Sequence, residues 1–246
     1  MKQEIISEAS KLLTEVYEQY KDKGMLSVFL WGSITRDDFD PTTSDVDSIA
    51  IVDKTVDLET RMEIKQWLND NFSIDMPFNF QFYGIEELNG GEQYTLLGQY
   101  QPAGYFLLRF NEWMFIAGKQ YARSDFSATN YTPKDSIGHQ LGQIESALKQ
   151  VTGEAPSDPR RKGLQSSCED VVKGVLFALY WNAVDDGYTG RLIYDEIPSV
   201  TSDGFKQLAV EMLGVRKASS YTPESVLALR GEIEELVDFL KAKLAE

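Results

Sequence analysis

The stretch Trp-Gly-Ser-Ile-Thr-Arg at residues 31–36, followed by Ser-Asp-Val-Asp-Ser-Ile-Ala-Ile-Val at residues 44–52, decides the fold of this chain. A Gly-Ser turn follows one apolar run, and a pair of carboxylates opens the next. Residues two apart in a strand point to the same face, so Asp45 and Asp47 are predicted to project side by side. Two neighbouring carboxylates repel each other unless a cation neutralises them, and hard oxygen ligands of this kind suit Mg²⁺ or Mn²⁺.

The Gly-Ser turn supplies the second half of the pattern. Gly32 and Ser33 let backbone N–H groups and a hydroxyl approach a phosphate closely, because glycine has no side chain in the way. A strand, a turn of this kind and an acidic strand in that order indicate a site for a nucleoside triphosphate bound together with Mg²⁺ or Mn²⁺.

This pattern resembles the signature of the nucleotidyltransferase-fold family, to which DNA polymerase beta is related. The signature is Gly-Ser, a short intervening segment, and Asp-x-Asp on a strand. The resemblance implies that Asp45 and Asp47 are catalytic metal ligands. It also implies a set of nucleotide-binding residues, namely Gly32, Ser33, Arg36 and Ser44. The chain departs from the family pattern in one of these segments, because the usual Gly after the Arg is Asp37 here.

The family pattern also has an acid on a third strand, beside the Asp pair. Residues 78–83 alternate apolar and polar side chains, which predicts such a strand. The resemblance assigns the third position to Asn79, or to Gln81 in the alternative register. An amide oxygen can ligate a metal but adds no negative charge, so Asn79 is predicted as the third ligand of a weakened Mg²⁺ site.

The order of elements predicts an α+β protein. Apolar spacing indicates strands over 25–31 and 45–53, a hairpin over 104–118, and helices over 5–20, 58–72, 137–151, 171–184, 205–213 and 225–244. This order resembles the antibiotic nucleotidyltransferases, particularly those acting on kanamycin, and residues 78–88 resemble the segment that carries their third metal-side acid. We therefore expect an N-terminal nucleotidyltransferase fold with a mixed β-sheet flanked by helices over 1–125. A C-terminal helical bundle domain is expected over 126–246.

The helical half contains the candidate general base. In the aminoglycoside-modifying branch of the family, a Glu from a helix can take the proton of the acceptor hydroxyl. Glu145 is the candidate here, and a surface Glu without a catalytic role is the alternative. His139 is the only histidine, which excludes a metal site built on a histidine cluster.

The composition of the chain indicates which classes of molecule it is expected to bind. The 246 residues include 24 Lys and Arg against 39 Asp and Glu, a formal net charge of −15. Such an acidic surface repels phosphate backbones, which argues against a nucleic-acid partner and is compatible with a small cationic acceptor. No run reaches the length of a membrane span, so we expect a cytoplasmic protein without a membrane partner. The sequence does not decide between a monomer and a homodimer.

Two functions from different classes remain open. The first is an enzyme that transfers a nucleoside monophosphate from a nucleoside triphosphate to a hydroxyl of a small, cationic, aminoglycoside-like acceptor. The second is a catalytically impaired nucleotide-binding or regulatory protein that keeps the fold, and Asn79 in place of an acid is its main support.

Overall fold

The structure is a computed structural model that describes residues 1–36, 39, 41, 44–90, 103–127, 131–156, 163–184 and 192–246. Asp37, the departure from the family signature, lies outside these residues. The described chain divides into two compact units, one built on Met1–Tyr131 and a second that begins at Thr132. The predicted domains 1–125 and 126–246 stay a prediction, because compactness alone does not show that either part folds independently.

The first unit is built on a mixed sheet. Its elements are α1 (Lys2–Tyr20), β1 (Met25–Trp31), β2 (Val46–Val52), α2 (Leu58–Asn71), β3 (Phe78–Gly84), α3 (Ile85–Leu88), α4 (Ala103–Leu108) and β4 (Met114–Gly118). In the described part of the chain the sheet has four strands in the order β3-β2-β1-β4. Strand β1 is antiparallel to β2 and β4, whereas β2 and β3 are parallel and are joined through α2, as a parallel pair requires. The predicted mixed sheet flanked by helices is confirmed.

The two faces of this sheet have different roles. One face packs on α1 and α2 and forms a hydrophobic core that includes Val28, Leu30, Val46, Ala50, Phe80 and Phe82 from the strands and Ile5, Leu13, Ile64 and Leu68 from the helices. On the other face the ring of Phe106 in α4 lies 4.4 Å from that of Trp31 and 4.5 Å from that of Tyr83. Burying each such side chain contributes about 1.5–3 kcal/mol. The second face also carries Asp47 and Asn79, the residues predicted for the site.

Local signals fix where several helices begin. Asp57 precedes α2 and its carboxylate accepts a hydrogen bond from the N–H of Thr60 at 2.9 Å. Thr132 caps the first helix of the second unit in the same way, and Pro133 occupies the first helical position, where its missing N–H costs nothing. These residues interact with backbone groups nearby in sequence, so the starts of these helices can be predicted from the sequence alone.

The second unit is helical. It contains α5 (Pro133–Val151), α6 (Leu164–Ala183), α7 (Ile197–Val200), α8 (Lys206–Lys217), α9 (Pro223–Leu227) and α10 (Arg230–Leu244). Helices α5 and α6 approach so closely that a Cβ added at Gly174 would lie 2.7 Å from Cγ1 of Ile144. Between the same helices the buried hydroxyl of Ser167 donates to Oε1 of Gln150 at 2.8 Å. The absence of a side chain at Gly174 therefore permits this close approach of the two helices.

The structure corrects three predictions from the sequence. The helix expected over 171–184 is α6, which begins earlier, at Leu164. The expected hairpin over 104–118 is wrong in its first half, because Ala103–Leu108 is helix α4 and only Met114–Gly118 is a strand. Residues 105–108 are all buried, and a short, wholly buried apolar run has no periodicity that separates a strand from a helix. The single helix expected over 225–244 is two helices, with a break between Leu227 and Arg230.

Among the described residues, no helix has the length and the apolar character needed to cross a membrane.

Two helical glycines give a test of the α5–α6 packing. We expect Gly174→Ala to lower the free energy of unfolding by about 1–3 kcal/mol, because the added methyl group overpacks against Ile144. Gly142 in α5 has nothing within 4 Å of an added Cβ, so Gly142→Ala is the matched control and should stabilise by up to about 1 kcal/mol through helix propensity. Urea unfolding of both variants measures the difference, and equal effects would contradict the close approach.

Candidate active site

The register of the central strands places Asp47 between two defined neighbours. Across the antiparallel pair it lies opposite Trp31, the last residue of β1, and across the parallel pair it lies opposite Asn79 of β3. Residues opposite each other in neighbouring strands project from the same face of the sheet. Asp47 and Asn79 are both partly exposed at the end of a face that is otherwise buried. The sheet therefore presents these two polar side chains together, next to the residue that precedes the Gly-Ser turn.

Asn79 and Asp47 are in direct contact. The Nδ2 group of Asn79 donates a hydrogen bond to Oδ1 of Asp47 at 2.9 Å. The alternative position, Gln81, is buried, and its Oε1 accepts a hydrogen bond from the hydroxyl of Tyr83 at 3.2 Å. Burial raises the pKa of Tyr83 well above its ordinary value, and the nearby Glu87 adds to this, so the hydroxyl stays a donor. Of the two registers, the one with Asn79 brings an amide beside the carboxylate.

The glycine of the turn is required by its closeness to Asp47. Residues Gly32–Thr35 form a 3₁₀ turn directly after β1, and Gly32 has a φ of +76°, which side chains disfavour. A Cβ added at Gly32 would lie 2.6 Å from Oδ2 of Asp47. The turn and the carboxylate are thus neighbours in space, as the order of the motif predicts. Ser33, in the same turn, is half-buried.

The remaining residues of the motif lie at the start of β2. The strand begins at Val46, one residue later than predicted, so Ser44 and Asp45 precede it, and both are half-buried. The N–H of Val46 donates to the carbonyl of Pro77 at 2.9 Å, which ties this strand start to the segment before β3. That Asp45 and Asp47 share a metal ion, and that Ser44 contacts nucleotide, stay predictions.

Arg36 lies in a buried ion cluster. Its Nη1 donates to Oε2 of Glu112 at 2.8 Å, and the side chains of both residues are at most 7% exposed. Arg109 approaches the same carboxylate, with Nε 3.1 Å from Oε1 and Nη2 2.5 Å from Oε2. The role in nucleotide binding that the resemblance implies for Arg36 stays a prediction, and in this structure its buried guanidinium binds Glu112.

Glu112 is held ionised by its neighbours. Burial alone would raise the pKa of this carboxyl, but the guanidinium groups of Arg109 and Arg36 outweigh it and hold the pKa below its ordinary value. The sequence does not reveal Glu112 and Arg109 as a buried pair, because the apolar runs over 104–118 predict a hairpin with Glu112 in its turn. The available signal was a pair of oppositely charged residues in a segment otherwise rich in apolar and aromatic side chains, since charged residues are rarely buried without a partner.

Two further acids have defined surroundings. Glu87, in the segment that resembles the one carrying a third acid, is buried in α3, and its Oε2 lies 3.4 Å from the N–H of Gly84. Glu145, the predicted general base, lies on α5 in the second unit. Its Oε1 is 2.6 Å from Nζ of Lys241, and its side chain is 40% exposed. Its role in catalysis stays a prediction.

The donor atoms fit a metal that arrives with its nucleotide. Within the described residues, no group of three or more His, Cys, Asp or Glu side chains forms a metal site. Mg²⁺ is commonly held by one or two carboxylates together with substrate phosphates, and Asp45 and Asp47 are the carboxylates predicted for such a set. Asn79 uses its N–H group on Asp47, so in this structure it acts as a donor to a predicted ligand.

Comparison with known proteins supports the fold. No family model and no curated protein matches the sequence. Spectinomycin adenyltransferase AAD(9) from Enterococcus faecialis, solved with ATP and spectinomycin, matches with a TM-score of 0.55 and 9% identity over 98% of this chain and 99% of that one. At this identity the likeness shows the fold alone. The chain has the α+β nucleotidyltransferase fold, and the resemblance noted from the Gly-Ser and Asp-x-Asp pattern is confirmed at that level.

The contact between the turn and Asp47 can be tested with two glycines of equal φ. Gly32 and Gly153 both have a φ of +76°, but nothing lies within 4 Å of a Cβ added at Gly153. We expect Gly153→Ala to cost about 1–2 kcal/mol of stability, the penalty for a left-handed backbone. Gly32→Ala should cost clearly more, because its methyl group also displaces the Asp47 carboxylate. Chemical unfolding measures both, and equal losses would contradict the contact.

Proposed function

We propose that this protein transfers a nucleoside monophosphate from a nucleoside triphosphate to a hydroxyl of a small cationic acceptor. The observation that carries this proposal is the contact between the Gly32 turn and the Asp47 carboxylate at the end of the sheet. A turn rich in backbone N–H groups suits phosphate oxygens, and a carboxylate beside it suits the cation that accompanies them. The nucleotidyltransferase fold supports the same chemistry, although a fold by itself does not fix a substrate.

The proposed reaction is a displacement at the α-phosphorus. The acceptor oxygen forms a new bond to this phosphorus, the bond to the β-phosphate oxygen breaks, and pyrophosphate leaves. The hydroxyl proton passes to a general base, for which Glu145 is the candidate. An acceptor that uses Glu145 has to compete with its ion pair to Lys241.

Residues of the chain would contribute mainly by positioning and charge. Gly32 and Ser33 would orient the phosphates, and Asp45 and Asp47 would hold Mg²⁺ or Mn²⁺, with Asn79 as the predicted third ligand. The metal, when bound, neutralises charge that develops on the phosphate oxygens. Asn79 in this structure fixes the Oδ1 side of Asp47 by a hydrogen bond, which orients the carboxylate before the nucleotide arrives.

The choice of acceptor rests on charge and on the solved neighbour. A chain of net charge −15 favours a cationic acceptor over a polyanionic one. The neighbour was solved with ATP and spectinomycin, an aminocyclitol, so both are the first compounds to test here. ATP is accordingly the proposed nucleotide, and aminoglycosides and aminocyclitols are the proposed acceptor class.

A test of this function measures pyrophosphate release with ATP, Mg²⁺ and a panel of aminoglycosides that includes spectinomycin. We expect release with at least one acceptor in the wild type. Asp47→Asn should lose metal-dependent ATP affinity with little loss of stability. The carboxylate of Asp47 is partly exposed, and in the absence of a metal it is expected to repel that of Asp45. Glu145→Gln should bind ATP normally and slow turnover, by about 10²–10⁴-fold if it is the base. Equal ATP binding by the wild type and Asp47→Asn would contradict the site.

The second function is a nucleotide-binding or regulatory protein without full catalysis. The observation that favours it is Asn79, whose amide donates to Asp47 where the family pattern has an acid. ATP binding by the wild type without pyrophosphate release for any acceptor would support this function over the first.

Asn79→Asp separates the effects of charge and of hydrogen bonding at this position. The variant replaces the donor to Asp47 by a second carboxylate, so stability without metal should fall by about 1–3 kcal/mol through like-charge repulsion and the lost hydrogen bond. Mn²⁺ affinity should rise, because an added carboxylate neutralises the cation better than an amide does. Calorimetric titration and urea unfolding give the two quantities. If Mn²⁺ affinity is unchanged, Asn79 is not a metal-side position.

A further inference from the structure

Glu112 contacts the end of the Gly32–Thr35 turn through its backbone. The hydroxyl of Thr35 lies 2.9 Å from the carbonyl oxygen of Gly32 and 2.8 Å from that of Glu112, so its single proton is shared between them. Thr35 and Glu112 are separated by 77 residues in sequence. This hydroxyl therefore ties the first residue of the turn to a part of the fold that is distant along the chain.

The side chain of Glu112 makes a second connection to the same turn. Its Oε2 accepts from Nη1 of Arg36 at 2.8 Å, and the N–H of Arg36 in turn donates to the carbonyl of Ser33 at 2.9 Å. The carbonyl of Arg36 also accepts a hydrogen bond from Nζ of Lys2. The residue that closes the turn is thus held through both its backbone and its guanidinium.

Arg109 fixes Glu112 and also reaches the residue that precedes the turn. Its Nε and Nη2 bind the two carboxylate oxygens of Glu112, and its Nη1 donates to the hydroxyl of Tyr105 at 2.8 Å. The same guanidinium lies 4.9 Å from the ring of Trp31, which directly precedes Gly32. A guanidinium over an aromatic face is attracted by it, and a fork that binds both carboxylate oxygens sets its orientation.

We propose that Glu112 is a positioning residue that holds the Gly32–Thr35 turn, through Thr35 and Arg36, in the conformation that receives the phosphates of the nucleotide. This inference rests on the proposed function, which supplies the nucleotide as the ligand, and the contacts that it uses are those of the structure. The turn is short and contains a left-handed glycine, so its local sequence does not define one conformation. The buried ion cluster supplies the missing constraint, and Glu112 acts on nucleotide binding through Thr35 and Arg36.

The experiment removes one connection at a time. Thr35→Val replaces the hydroxyl by a methyl group of similar size, and Thr35→Ser restores the hydroxyl. Glu112→Gln keeps the shape of the side chain and removes its charge. Thr201→Val is the matched control, because the buried hydroxyl of Thr201 donates to the carbonyl of Ile197 in the second unit and has no connection to the turn.

Two measurements distinguish positioning from general stabilisation. The first is hydrogen exchange of the Arg36 amide, whose N–H bonds to Ser33 and reports closure of the turn. The second is the dissociation constant of ATP with Mg²⁺ per folded molecule, together with the KM of the acceptor. We expect Thr35→Val to speed exchange and to weaken ATP binding by about tenfold, as the loss of one hydrogen bond predicts. Glu112→Gln leaves two buried guanidinium groups without their paired charge, so it should speed exchange and weaken ATP binding by about tenfold or more. Acceptor KM should stay the same, and Thr35→Ser and Thr201→Val should behave as the wild type.

The possible results separate this inference from the proposed function. Unchanged exchange and unchanged ATP affinity in folded Thr35→Val overturn the inference, as does faster exchange without any loss of affinity. If Glu112→Gln does not fold, Thr35→Val and its Ser rescue decide the question alone. If the wild type binds no ATP, the proposed function fails, and exchange of the Arg36 amide still decides whether the hydroxyl of Thr35 and its contact with Glu112 hold the turn.

Discussion

The candidate site depends on how closely the backbone at Gly32 approaches the carboxylate of Asp47. Antiparallel pairing sets Trp31 opposite Asp47, so the chain leaves β1 directly beside the acid. A left-handed residue without a side chain is then needed, because a Cβ would lie 2.6 Å from Oδ2. One steric constraint therefore joins the turn to the acidic strand, and the sheet register enforces it.

The polar and charged side chains near the turn form two separate sets. At the partly exposed end of the sheet, Asp47 receives the neutral N–H group of Asn79. In the interior, Glu112 is enclosed by Arg36 and Arg109, which also lower its pKa. Buried ion pairs often contribute little net stability, since desolvation offsets their attraction, but losing one partner is costly. A cluster of this kind is better suited to fixing a geometry than to stabilising the fold.

The sequence predicted those parts of the structure that depend on local periodicity and on spacing within one motif. The strands that carry Asp47 and Asn79, the turn between β1 and β2, and the helical character after Thr132 were all predicted correctly to within a few residues. The helix over Ala103–Leu108 was not, because a segment that is buried on every side has no polar face to reveal its period. Because a hairpin is predicted for this segment, Glu112 is assigned to its turn, and its burial is not predicted.

The sequence by itself determined the order of most elements, the strands that carry Asp47 and Asn79 and the presence of a Gly-Ser turn directly after β1. These follow from steric rules that act between residues close along the chain. Only the tertiary structure decided that Asn79 donates to Asp47 and that Glu112 meets Arg36 and Thr35. Such contacts depend on strand register and on buried packing between segments distant in sequence. A hydrogen bond or ion pair between such segments produces no periodic pattern in the sequence from which it could be predicted.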